Sequence, residues 1–126
     1  MKRDMFNWKD YLVLAEELAL CSQDEAKRRS AVSRAYYAVF CAARKYINME
    51  DYAGPDVHRA VIREYNKSPN KDERMVGFKL DIARKYRAAA DYRDWETIDV
   101  SSMEDSIARA KQIFDIIKQN PPSPHL

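Results

Sequence analysis

Apolar residues recur along the chain at steps of three and four, a spacing typical of amphipathic helices. The pattern predicts five helices, over about 4–20, 24–48, 56–65, 73–90 and 101–119. The second helix is the longest and has two apolar stripes. Its large residues are Val32, Tyr36, Val39, Phe40, Ala43 and Ile47, and its small residues are Ala31, Ala35, Ala38 and Ala42. Because alanine lets a neighbouring helix approach closely, we expect this helix to be the central member of a bundle.

Turn-forming residues separate the helices. Gly54-Pro55 ends one segment and Ser68-Pro69-Asn70 another, whereas 91–100 is predicted to be irregular. The run Pro121-Pro122-Ser123-Pro124 cannot continue a helix, so 121–126 is expected to be a proline-rich tail. Short connections between amphipathic helices favour an antiparallel arrangement. The prediction is therefore one all-α domain over 1–120, an up-and-down four-helix bundle with an extra short helix.

Two helix starts have capping-box spacing, in which a hydroxyl residue precedes a carboxylate by three positions. Ser22 with Glu25 is expected to start the second helix. Ser101 or Ser102, with Glu104 or Asp105, is expected to start the fifth.

Composition excludes several classes of protein. Apolar residues make up 46% and charged residues 33% of the 126 residues, which argues against wholesale disorder, and two glycines are too few for a many-stranded sheet. The chain has no phosphate-binding glycine loop and no cysteine–histidine metal motif, so we expect no cofactor and no metal. It has no apolar run of about 20 residues and no signal-peptide core, so we expect a cytoplasmic protein without a membrane partner.

A net charge of +2 is too balanced to indicate a nucleic-acid partner by itself. Local clusters would have to supply any phosphate binding. The candidates are Lys27-Arg28-Arg29, Arg34 and Arg44-Lys45.

Arg87 is the main departure from a plain bundle. It lies on the apolar face of the fourth helix, with Leu80 and Ala83, and a guanidinium in a dry core requires a partner. Asp91, four residues later, could pair with it and close the end of the helix. Alternatively, Arg87 could line a wet cleft and bind a phosphate, which suits its planar fork. The sequence leaves both interpretations open.

Three further residues are candidates for binding or chemistry. His58 lies on the apolar side of the short third helix, where a lone histidine is more often a core residue than a catalytic one. Arg34 and Tyr37 are three residues apart and lie off the core stripe of the second helix. Tyrosine and arginine are typical interface anchors, which is the favoured interpretation, and they can also stack on a nucleobase.

Three segments carry a resemblance to a known family. They are Ser33-Arg34-Ala35-Tyr36-Tyr37-Ala38-Val39-Phe40, His58-Arg59-Ala60-Val61-Ile62 and Arg87-Ala88-Ala89-Ala90-Asp91-Tyr92. In order and spacing they resemble the second helix, the short third helix and the end of the fourth helix in small HEPN-domain proteins of bacteria and archaea. The resemblance covers about 4–119 and implies a four-helix bundle with an extra short helix, usually a homodimer.

The resemblance also implies a range of functions. Many HEPN proteins are metal-independent RNA-cleaving toxins or defence effectors. Others are partners of minimal nucleotidyltransferases encoded beside them, or noncatalytic modules that bind RNA or nucleotides. In the cleaving members, an arginine is followed four to six residues later by histidine. Here Arg87 matches the arginine and Tyr92 the tyrosine that often follows, but Asp91 stands in place of the histidine.

We therefore expect an RNA- or nucleotide-binding homodimer within a toxin–antitoxin or defence pair, with Arg87, Asp91 and Tyr92 in a cleft at the dimer interface. If the chain is a metal-independent endoribonuclease, Arg87 would stabilise the transition-state phosphate and Tyr92 would donate a hydrogen bond to it. Asp91 would orient Arg87 or act as a base. His58 could supply the missing imidazole from another helix or across a dimer. The alternative is a noncatalytic interaction module that docks a nucleotidyltransferase-type antitoxin near Tyr37.

Overall fold

The structure is a computed structural model that describes residues 5–119, and within that range it is entirely helical, without strands. The five helices are α1 (Lys9–Ala19), α2 (Glu25–Tyr46), α3 (Val57–Asn66), α4 (Lys71–Tyr92) and α5 (Val100–Gln119). The predicted all-α class and the order of five helices are confirmed. None of the described helices is long and apolar enough to cross a membrane. The predicted tail at 121–126 lies outside the described residues.

Helix α2 is the centre of the bundle, because it contacts all four other helices. Three residues of its small-residue stripe, Ala31, Ala35 and Ala38, are fully enclosed, and the fourth, Ala42, is half-buried. The start of α2 lies beside the end of α4, where Arg29 contacts Ala90. The two helices therefore run antiparallel. The short helix α3 packs chiefly on α4, and this contact forms the cleft described below.

The predicted capping boxes are not the ones that form. Asp24 is the N-cap of α2, and its Oδ1 accepts a hydrogen bond from the backbone N–H of Ala26 at 2.9 Å. At the start of α5, Oδ1 of Asp99 accepts from the N–H of Ser102 at 2.8 Å. In both places the short aspartate side chain, just before the helix, reaches a free N–H group, so the serine-based predictions are wrong.

Helix α4 is longer than predicted at both ends. At its start, Oδ1 of Asn70 accepts from the N–H groups of Asp72 at 2.8 Å and Glu73 at 3.1 Å. At its end, the helix continues through Asp91 and Tyr92, which the sequence pattern assigns to an irregular segment. This extension places Asp91 one turn beyond Arg87 on a continuous helix.

The guanidinium of Arg29, on α2, accounts for the extension. It donates to the carbonyl oxygens of Ala89 at 3.1 Å, Ala90 at 3.0 Å and Arg93 at 3.1 Å, and also to that of Glu96. The last carbonyls of a helix have no partner within the helix, so a cation that binds them stabilises the final turn.

Candidate functional site

A cleft of about 340 Å³ lies between α3, the loop before it and α4. Its lining residues are Pro55, Asp56, His58, Arg59, Arg84 and Arg87. Three of these residues carry a guanidinium and one carries a carboxylate, so the lining itself has excess positive charge. Arg84 and Arg87 each also pair with an aspartate beside the cleft, Asp81 and Asp91. The charge of the lining suits an anionic ligand such as a phosphate.

Arg87 is the most deeply placed of the cleft's arginines, with only 8% of the residue exposed. Its Nη1 lies 3.6 Å from Oδ2 of Asp91, which is an ion pair but too long for a hydrogen bond. Among residues 5–119, Nε of Arg87 is the one buried side-chain nitrogen or oxygen that has no hydrogen-bond partner. Arg87 therefore pairs with Asp91 and also lines the cleft, whereas phosphate binding stays a prediction. The pair leaves part of the guanidinium's donor capacity unused.

Aromatic rings hold the guanidinium in place. Its central carbon lies 5.3 Å from the ring centroid of Tyr36, 5.5 Å from that of Tyr37 and 5.7 Å from that of Tyr92. These distances are within the range of cation–π attraction. Asp91 is oriented separately, because Oγ of Ser33 donates to its Oδ2 at 3.3 Å. The guanidinium of Arg87 is thus positioned by contacts that leave its Nε–H without a hydrogen-bond partner.

His58 lines the same cleft as Arg87, within one chain. Its ring stacks on Phe40 with centroids 4.2 Å apart, and its Nδ1 lies 2.6 Å from the hydroxyl of Tyr36. Burial lowers the pKa of His58, and the nearby positive charges of Arg87 and Arg84 lower it further. Burial raises the pKa of Tyr36. Both side chains are therefore neutral at pH 7, and in the tautomer whose Nδ1–H donates to the Tyr36 hydroxyl, Nε2 of His58 is the nitrogen that can accept a proton.

Arg34 and Tyr37 adjoin this cleft but do not line it. Both are half-buried on α2. The guanidinium carbon of Arg34 lies 5.3 Å from the Tyr37 ring and 4.9 Å from the ring of Tyr11, on α1. Tyr37 in turn contacts Arg87, so the predicted binding residues and the predicted catalytic residues are neighbours on one surface.

The sequence pattern misses two of the cleft's arginines. Arg84 lies on α4 three residues before Arg87, and Arg59 follows His58 on α3. Arg84 also pairs with Asp81 at 3.2 Å. The spacing of Arg84 and Arg87 is the one signal that points to a shared site, since residues three apart are neighbours on a helix.

Three of the arginines predicted to bind phosphate donate hydrogen bonds to backbone carbonyls instead. Arg28 donates to Ile98 at 2.6 Å, and Arg44 donates to Met49 at 2.8 Å. Arg29 holds the end of α4, as described above. These side chains fix loops and helix ends, so the expectation that they supply phosphate contacts is not supported for Arg28, Arg29 and Arg44.

No group of three histidine, cysteine, aspartate or glutamate side chains within residues 5–119 is arranged to hold a metal ion. Comparison with known proteins gives no match: no family model fits the chain, and neither a curated protein nor a solved structure is significantly similar to it. Arguments about function therefore depend on the cleft and on the residues themselves.

Proposed function

We propose that the chain is a HEPN-type helical protein that binds RNA or a nucleotide through a phosphate group in the cleft between α3 and α4. The observation that carries this proposal is the buried guanidinium of Arg87, whose Nε donates to no group among residues 5–119. A buried donor without a partner is costly for the fold. A small reorientation of the Arg87 side chain would bring its Nε–H to a phosphate oxygen in the cleft, which would satisfy it. Arg84 and Arg59 add positive charge around the same position.

If the bound RNA is also cleaved, the cleft supports a metal-independent endoribonuclease. Neutral His58 would accept the proton of the attacking 2′-hydroxyl. The 2′-oxygen would bond to phosphorus as the bond to the 5′-oxygen breaks, and the leaving 5′-oxygen would take a proton from water, which gives a 2′,3′-cyclic phosphate and a 5′-hydroxyl end. Arg87 would stabilise the charge that develops on the phosphate, Asp91 would orient Arg87, and Tyr92 would donate a hydrogen bond from its exposed position. In this proposal His58 takes the role of the motif's histidine, whose position in the sequence is held by Asp91.

The proposed setting is a cytoplasmic homodimer that acts within a toxin–antitoxin or defence pair. Tyr92 contacts Arg87 and is 71% exposed, so a second chain that covered this side chain would extend the cleft. The proposal is carried by the resemblance of the α2 and α4 segments to HEPN proteins and by this exposed aromatic side chain.

The test is binding and cleavage of a mixed RNA pool by purified protein without added metal. We expect salt-dependent binding that Arg87→Met abolishes. Lys85→Met is the matched control, because it removes one positive charge from an exposed position on α4 that does not line the cleft. Loss of binding in both variants to the same extent would contradict a specific phosphate site. Cleavage that His58→Gln abolishes would support the nuclease, whereas binding without cleavage would leave a noncatalytic RNA-binding module.

A second candidate is a noncatalytic module that docks a minimal nucleotidyltransferase. It is favoured by Trp95, which is 75% exposed on the turn that Arg29 fixes at the end of α4. An exposed tryptophan on a rigid turn is a typical interface anchor, because little conformational freedom is lost on binding. A complex with such an enzyme that Trp95→Ala disrupts, together with no affinity for RNA, would select this candidate.

A further inference from the structure

Rings and guanidinium groups alternate along one continuous path on the surface of the bundle. The path consists of Tyr11, Arg34, Tyr37, Arg87 and Tyr92, and we call it the Tyr–Arg ladder. Successive guanidinium carbons and ring centroids are 4.9, 5.3, 5.5 and 5.7 Å apart. The ladder crosses three helices, from α1 over α2 to the end of α4, and it passes the phosphate-binding cleft at Arg87.

Most of the ladder is accessible. Tyr92 is largely exposed, and Tyr11, Arg34 and Tyr37 are half-buried. Arg87 is the one buried member of the ladder, and it lines the cleft. The two contacts of Arg34 are between half-buried groups, so these side chains keep surface that a ligand can reach.

The charges along the path are complementary to a chain of phosphates. Arg34 and Arg87 are its cations, and Asp91 is already paired with Arg87 and held by Ser33. Surfaces that bind single-stranded nucleic acid combine positive charge for the backbone with aromatic rings on which successive bases stack. The bases of a duplex stack on one another instead, and cannot spread over protein rings.

We propose that the Tyr–Arg ladder extends the phosphate-binding cleft into a track for single-stranded RNA. One phosphate lies at Arg87, the strand crosses α2 with a second phosphate at Arg34, and bases stack at Tyr37 and Tyr11. This inference rests on the proposed function and narrows it, because it makes the ligand a strand of several nucleotides. A mononucleotide would use the cleft alone.

The test compares a short and a long ligand that cannot be cleaved. The probes are a 2′-O-methyl adenosine dinucleotide and a twelve-residue 2′-O-methyl oligoadenylate, with affinities measured by fluorescence anisotropy and by competition. We expect the wild-type protein to prefer the long probe. Tyr11→Leu keeps apolar bulk but removes the ring, so it should weaken binding of the long probe roughly 5- to 150-fold and reduce the preference for length.

Two matched variants keep the test falsifiable. Tyr11→Phe retains the ring and should retain the length preference. Tyr86→Leu removes a half-buried tyrosine that contacts another arginine, Arg109 at 6.0 Å, off the ladder, and it should not change the length preference. Thermal unfolding of each variant separates a loss of ring stacking from a loss of fold.

The outcomes distinguish the single-stranded RNA track from the proposed function on which it rests. Arg87-dependent binding that is equal for both probes and insensitive to Tyr11→Leu would overturn the track while the phosphate cleft stands. No binding of either probe would overturn both. Unchanged RNA affinity with loss of a homodimer in Tyr11→Leu would identify the ladder as a contact between two chains and would also overturn the track.

Discussion

Arg87→Met removes the guanidinium of the cleft while keeping most of the aliphatic stem, and we expect it to change stability little. The variant loses attraction to three rings and an ion pair 3.6 Å long with Asp91. That carboxylate keeps Ser33 as a donor, and with 25% of its side chain exposed it can hydrate. Removal of the unpartnered Nε–H offsets these losses, since an unsatisfied buried donor costs about 1–3 kcal/mol. We therefore predict a free energy of unfolding within about 1 kcal/mol of wild type.

Arg29→Met is the control with the opposite prediction. The guanidinium of Arg29 donates to four backbone carbonyls and pairs with Glu25 at 3.2 Å, and 21% of the side chain is exposed. Its removal leaves the end of α4 without its partner, which we expect to cost about 1.5–3 kcal/mol, the range for hydrogen bonds to a charged group. Urea unfolding followed by circular dichroism measures both variants, provided that the denaturant slope is unchanged. A loss above about 3 kcal/mol in Arg87→Met would mean that Arg87 is a structural ion-pair residue, and would refute the reasoning.

Three further predictions concern single residues. The pKa of His58 is lowered in the fold, so just below the ordinary histidine pKa of about 6.5 the unfolded chain binds more protons than the folded chain. The free energy of unfolding should therefore rise as the pH rises toward about 6.5, and His58→Gln should reduce this rise in pH-dependent unfolding. A Cβ at Gly77 would overlap the side chain of Asn66 and lie 3.0 Å from Cβ of Tyr65. Gly77→Ala should therefore cost about 1–3 kcal/mol in urea unfolding, although alanine has the better helix propensity. A stabilised variant would contradict this packing of α3 on α4. The buried hydroxyl of Tyr65 donates to the carbonyl of Ala43 at 2.7 Å, so Tyr65→Phe should lower the melting temperature by the equivalent of about 1–2 kcal/mol, and an unchanged temperature would argue against that bond.

The sequence predicts the helices well because each buries at least one apolar stripe, and that requirement is local. Helix ends depend on contacts between distant residues. The extension of α4 through Tyr92 depends on Arg29, about 60 residues earlier, whose guanidinium binds the last carbonyls. No pattern within 85–95 contains that information.

The site is predictable only in part, for the same reason. Arg87 can be found from the sequence because a charged residue on an apolar face is anomalous. Its proximity to His58 depends on how α3 packs on α4, and Arg84 and Arg59 join the cleft through the same packing. Tyr11 is half-buried beside Arg34, a contact that depends on how α1 packs on α2 and that no local pattern predicts.

The central claim is that Nε of Arg87 has an unused hydrogen bond for a phosphate, and a nuclear magnetic resonance titration tests it directly. The measurement follows the arginine Nε–Hε signals of the ¹⁵N-labelled protein as adenosine monophosphate is added, with the Arg87 signal assigned from its absence in Arg87→Met. We predict that this signal shifts downfield saturably, as an Nε–H group does when it binds a phosphate oxygen. The Nε–H signal of Arg29, which already donates to the carboxylate of Glu25 at 3.2 Å, should stay in place. An Arg87 signal that stays in place at saturating ligand would contradict the account.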